Sequence, residues 1–242
     1  MKKSILIAAA LLISVGSAYS QWGNKRVKGN GTMKTETRKT SDYDEVSCGG
    51  SFDFILVKGT EGTITIEAEE NLMEYIIVEV KGNDLVIKSE RNVNLSPSNG
   101  KQITITVPFQ DIESVSLAGS GNVTSKDVIN AQEFKAAVAG SGDMEIEISA
   151  NNTKASIAGS GNLEIKGKTN DLKGSVAGSG DLKAFGLTAN NVDISIAGSG
   201  DADVVCNGEL KARVAGSGDI HYKGNPTSKD TKVAGSGKIT MN

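Results

Sequence analysis

The chain has 242 residues, of which 38% are apolar, 23% charged and 4% aromatic, with 29 glycines and 3 prolines. That aliphatic content is too high for disorder, and glycine does not recur every third residue as collagen requires. With 26 basic against 29 acidic groups there is no cationic excess for nucleic acid, and the length suffices to bury a substantial core.

Lys2 and Lys3 precede an apolar run from Ile5 to Val15, and Ala18-Tyr19-Ser20 satisfies the small-x-small cleavage rule. Residues 1–20 therefore read as a signal peptide cut before Gln21, and the protein as exported to the periplasm, the outer-membrane surface or the exterior. Cleavage leaves 24 basic and 29 acidic groups, a net charge of −5. No cysteine follows the cut to carry a lipid, and no later apolar run is long enough to be a transmembrane segment. Residues 21–41 carry Lys25, Arg26, Lys28, Lys34, Arg38 and Lys39 among polar neighbours and read as a mobile basic arm, solvated or in touch with anionic lipid or polysaccharide.

Residues 42–111 alternate in period two. Ile64, Ile66 and Ala68 are interleaved with polar residues, as are Ile76, Val78 and Val80, and Gly82-Asn83 forms a turn before Leu85 and Ile87. Ile103, Ile105 and Val107 make a further strand ended by Pro108, and Arg91 to Gly100 reads as a loop. This part is expected to form irregular coils that cap one end.

Residues 112–242 repeat. The corner Gly-Ser-Gly recurs as Gly119-Ser120-Gly121, Gly140-Ser141-Gly142, Gly159-Ser160-Gly161, Gly178-Ser179-Gly180, Gly198-Ser199-Gly200, Gly216-Ser217-Gly218 and Gly235-Ser236-Gly237, always after alanine. Spacings of 18 to 21 residues separate the serines, which marks a repeat architecture. Three residues before each serine stand Leu117, Val138, Ile157, Val176, Ile196, Val214 and Val233, aliphatic without exception. Polar-leaning and apolar columns alternate on both sides of the corner, so each repeat supplies two half-buried strands around a tight turn. Glycine allows the sharp corner, and the serine hydroxyl and the following Asn or Asp are expected to bond turn amides. One repeat cannot bury its aliphatic face alone, whereas stacked copies complete a core. The reading is all-β: a parallel β-solenoid of about seven coils, with stacked antiparallel hairpins as the alternative.

Cys48 and Cys206 are an even pair in an oxidising compartment, yet an elongated stack puts them at different heights. Two separate thiols, with Cys206 buried, are expected rather than a disulfide.

The repeated corners, preceded by Phe52-Asp53-Phe54 and Glu69-Glu70-Asn71-Leu72, resemble the head GIN domain family, labelled auto-transporter adhesin, of exported proteins from Bacteroidetes-type bacteria. The resemblance covers essentially the whole mature chain. It implies a right-handed, pectin-lyase-like parallel β-helix and a role in cell adhesion, and it brings no catalytic residues. The sequence shows neither a membrane β-barrel nor a coiled-coil stalk, so the adhesin role comes from the resemblance alone.

The polar column after the corner contains Asn122, Asp143, Asn162, Asp181, Asp201 and Asp219, ending at Lys238. Stacked at about 5 Å, Asp181, Asp201 and Asp219 could hold calcium. The favoured reading has each side chain capping its own turn, with no metal or cofactor. His221 is the only histidine and falls in an outward column, which argues against a Ser-His-Asp site and an acyltransferase. Asp181, Asp201 and Asp203 lie in charged columns typical of a solvated face rather than a glycosidase pair. The sequence therefore points to a non-enzymatic adhesion or binding module with a surface glycan or protein ligand. A self-assembling envelope protein, homo-oligomeric through the C-terminal end, is the alternative, and a polysaccharide-processing enzyme ranks last.

Overall fold

A computed structural model describes residues 25–242; the expected signal peptide lies outside the described residues. Nearly all the strands belong to one eighteen-stranded sheet wound into a solenoid. In the repeat region every pairing is parallel, and the corners stay in register although the register shifts between Glu164 and Gly167 and between Ala184 and Thr188. Gly119 lies beside Gly140, Gly140 beside Gly159, Gly159 beside Gly178, Gly178 beside Gly198, Gly198 beside Gly216, and Gly216 beside Gly235. The hairpin alternative is thereby excluded.

The period-two columns sort as the sequence requires. Leu117, Val138, Ile157, Val176, Ile196 and Val214 are all at most 3% exposed, while Ala118, Ala139, Ala158, Ala177, Ala197 and Ala215 face outward. Each inward residue packs on its counterparts above and below, so the core is continuous along the axis. Thr153 and Thr169 are the inward polar exception, and the Thr153 hydroxyl donates to Thr169 Oγ1 at 2.9 Å.

The stack contains an earlier corner that the spacing rule misses. Glu45–Gly50 pairs with Ser114–Gly119, and Asp53–Lys58 pairs with Asn122–Ser125, so Gly50-Ser51-Phe52 lies directly beneath Gly119-Ser120-Gly121. Residues 59–113 loop out and return. Asp84–Ser89 and Thr104–Phe109 continue the parallel ladder beneath that corner. The latter strand includes Pro108 rather than stopping at it. Antiparallel strands then close this end: Ile76–Lys81 on Asp84–Ser89, and Thr63–Glu69 on Thr104–Phe109.

The basic arm expected over residues 21–41 is corrected where it is described, from residue 25 onward. Met33–Lys39 is an edge strand antiparallel to Thr63–Glu69, and Lys25–Lys28 pairs with Val93–Ser96. A strand exposed on nearly its whole surface needs no apolar column, which is why it read as coil, and its cations discourage edge-to-edge pairing. Arg38 fixes it by donating to Met73 O at 2.8 Å and to Ile76 O.

At the other end, Ser228–Gly235 and Ile239–Met241 form a final coil. Its inward positions carry Lys229 and Thr231 where the preceding coil has Leu210 and Ala212. Lys229 lies over the Tyr222 ring, covering part of the core, while Val233 and Met241 remain 44% and 57% exposed.

Candidate functional site

Each corner is made by backbone. Gly140 O accepts the amides of Ser160 at 2.8 Å and Gly161 at 3.0 Å, and the same pair of bonds recurs at every level from Gly50 to Gly216. The packing leaves no room for a side chain. Gly178 has φ +127°, and a Cβ there would sit 2.2 Å from Gly159 O; at Gly180 it would sit 2.0 Å from Gly161 O. The serines Ser120, Ser141, Ser160, Ser179, Ser199, Ser217 and Ser236 are exposed. They join the ladder through their amides, not through hydroxyl bonds to the turn as expected.

The Asn/Asp column does bond amides, but those of the next coil rather than its own. Asp143 Oδ1 accepts from Asn162 N at 3.0 Å, Asn162 Oδ1 from Asp181 N at 3.1 Å, and Asp181 Oδ1 from Asp201 N at 3.0 Å. Asp201 Oδ1 then accepts from Asp219 N, and Asp219 Oδ1 from Lys238 N, each at 2.7 Å. Past the corner the amide points down the stack where no carbonyl lies opposite, and the side-chain oxygen supplies the missing acceptor. Asp181, Asp201 and Asp219 thus have their inner oxygens engaged by N–H groups. Among the described residues no group of three or more His, Cys, Asp or Glu is placed to hold a metal.

His221 sits half-buried 3.3 Å from Asp203, in the column of Glu164 and Lys183, with Ser217 exposed at its own corner. Lys166 bridges Glu145 at 2.6 Å and Glu164 at 3.0 Å, so these three charges answer one another. Cys48 and Cys206 are both free and buried; Cys48 fills the aliphatic column beside Leu117, and burial pushes both thiols up.

The wall before the corner differs. Its outward residues form four columns on consecutive coils. The first is Glu133, Asn152, Asp171, Asn191 and Glu209; the second is Lys135, Lys154, Lys173, Asp193 and Lys211. The third is Ala137, Ser156, Ser175, Ser195 and Arg213, and the fourth is alanine throughout. A cavity of about 370 Å³ lies over the first two columns, and a groove of about 670 Å³ over the last two. Asn191 Nδ2 donates to Asp171 Oδ1 at 2.8 Å, and Lys211 pairs with Glu209 at 3.3 Å. None of the ion pairs among the described residues involves Lys154, Lys173 or Asp193. Sequence reasoning passed over this wall because its residues are ordinary solvated types; only their alignment over several coils distinguishes them.

Residues 42–226 match the family model described as "Putative auto-transporter adhesin, head GIN domain". A solved structure from Parabacteroides distasonis, described as a "putative lipid binding protein", is 30% identical with a TM-score of 0.75, covering 90% of this chain and 100% of its own. A "putative adhesin" from Bacteroides fragilis is 23% identical with a TM-score of 0.83, covering 89% and 100%. Another from Parabacteroides merdae is 22% identical with a TM-score of 0.71, covering 90% and 99%. The comparison with curated proteins returns no match. No helix among the described residues is long and apolar enough to cross a membrane.

Proposed function

Since the chain belongs to the head GIN domain family, we propose that it is a non-enzymatic, exported β-solenoid that binds a surface glycan or protein, as an adhesin does. The observation that carries this reading is the wall before the corner, a regular sheet face with aligned polar side chains over a cavity of about 370 Å³. A rigid ladder of repeated groups suits extended contact with a surface better than chemistry at one point. Fold alone is a poor guide to function, so the reading stands or falls on binding. Fluorescently labelled protein lacking residues 1–20 is expected to label whole cells saturably and to be displaced by unlabelled protein. The name of the Parabacteroides distasonis neighbour makes lipid vesicles a second target to include. Failure to label any cell, glycan or vesicle would sink the proposal.

Self-association through the coil Ser228–Met241 is the second reading, supported by the exposure of Val233 and Met241. Light scattering over a range of concentration tests it; a mass that stays at one chain rejects it.

A further inference from the structure

We propose that the wall before the corner takes a linear, carboxylate-bearing polysaccharide laid along the solenoid axis, across the strands; this rests on the binding role above. Three features lead there. First, Lys135, Lys154 and Lys173 stand directly over one another in register, about 4.8 Å apart. Like charges in directly opposed positions of a sheet destabilise it, and the fold does not need them, because the positions face outward. On the opposite wall Lys166 is held between Glu145 and Glu164, whereas Lys154 and Lys173 enter none of the ion pairs among the described residues. A row of free ammonium groups at even intervals matches a polymer that carries negative charge at even intervals.

Second, the groups beside the lysines fit a polyol rather than a bare polyanion. Asn152 in the first column and Ser175 in the third flank the row on either side, and both offer donors and acceptors for hydroxyl groups. A carboxylate such as Asp171 close to the row would repel a simple polyanion yet accept from sugar hydroxyls. Third, the alanine column beside Ser175 keeps the floor of the 670 Å³ groove flat, so an extended chain can lie against the sheet. The aligned coils provide about 19 Å of such surface at the inter-strand spacing.

Titration calorimetry with polygalacturonate, alginate and hyaluronate as probes tests the proposal, with neutral dextran and polyglutamate for comparison. At least one acidic polysaccharide is expected to bind about tenfold tighter than either comparison polymer. The double variant Lys154→Ala/Lys173→Ala, and separately Ser175→Trp, should each weaken that binding about tenfold, while Lys166→Ala/Lys183→Ala on the other wall leaves it unchanged. All four substituted lysines and Ser175 face outward, and unchanged circular dichroism confirms that the variants fold. Binding to no acidic polysaccharide, equal binding to polyglutamate, or equal loss in both double variants overturns the proposal. Cell labelling separates the two ideas. If Lys154→Ala/Lys173→Ala labels cells as the parent does, this face is rejected and the adhesion role stands. If the parent binds the polymer but labels no cell, the reverse holds.

Discussion

Gly50 and Gly119 are neighbours in the stack but 69 residues apart in the chain, whereas Gly159 and Gly178 are neighbours only 19 apart. The first pair belongs to a region where each level is fitted once, by side chains used nowhere else. The second belongs to a region where one solution is copied. In the copied part, the backbone supplies most contacts, and side chains stay out of the way, fill a column or, just past the corner, accept the next coil's amide. In the fitted part, single polar groups hold the excursions. Glu61 accepts the amides of Tyr43 at 2.9 Å and Gln110 at 3.0 Å, and the Tyr43 hydroxyl donates to Pro108 O. Glu69, 1% exposed, accepts from the amide and hydroxyl of Ser98 and from the amide of Gly31.

The sharpest way to break the copied part is to add a methyl group at a corner. Gly180→Ala places a Cβ 2.0 Å from Gly161 O and 2.9 Å from Ile157 Cγ2, and neither backbone can retreat without moving its own stack. About 3 kcal/mol of stability should be lost, read as a lower denaturant midpoint. Gly59→Ala is the control. Its Cβ would meet only Pro108 Cβ, at 3.4 Å, so the change should stay within about 0.5 kcal/mol. Equal losses would mean that the corners are not the constraint.

In the fitted part the comparable weak point is Glu69. Burial works to raise its pKa, but the Ser98 hydroxyl, the Ser98 amide and the Gly31 amide outweigh it and hold the carboxyl below its ordinary value. A depressed folded-state pKa means stability that is complete above the ordinary carboxylate value and lost as pH falls toward the folded value. Glu69→Gln turns an amide NH₂ toward groups that are themselves donors. It should cost about 2 kcal/mol at neutral pH and flatten the fall in stability below about pH 4.5. An unchanged acid limb would show that other carboxylates carry it.

The same division explains what could be read in advance. The corners, their columns and the parallel stack were legible because a copied contact leaves a copied residue. Gly50-Ser51-Phe52 was not, since the excursion from 59 to 113 hides its spacing and Phe52 replaces the second glycine. Nor was the edge strand Met33–Lys39, which has solvent on most of its surface and so no apolar alternation to betray it. The Asn/Asp column was visible as chemistry, but its partner was misjudged. A side chain's reach to the next coil depends on how corners superpose, and that is a property of the stack rather than of one repeat.

That column gives a smaller expected effect. Asp201→Ala strips the acceptor from the Asp219 amide and should cost about 1 kcal/mol, while Asp201→Asn keeps an oxygen in place and should cost nearly nothing. Because the oxygens are occupied by amides, chelation of divalent cations is expected to leave the Tm unchanged. A Tm that falls on chelation, with Asp201→Asn as damaging as alanine, would move the column from hydrogen bonding to metal binding.

The least effect is expected at Lys166, although its ammonium touches two carboxylates, Glu145 and Glu164. Hydrogen bonds to both push its pKa up, but the group is open to water, where ordering a long side chain offsets most of the attraction. Lys166→Ala should therefore shift the unfolding midpoint by no more than the error of the measurement, in low salt as in high. The substitution also leaves Glu145 and Glu164 stacked in register without their shared cation. A loss that appears in low salt and fades as salt is added would assign to this wall a structural part in the stack, and would set it apart from the wall of Lys154 and Lys173, which enter none of the ion pairs among the described residues.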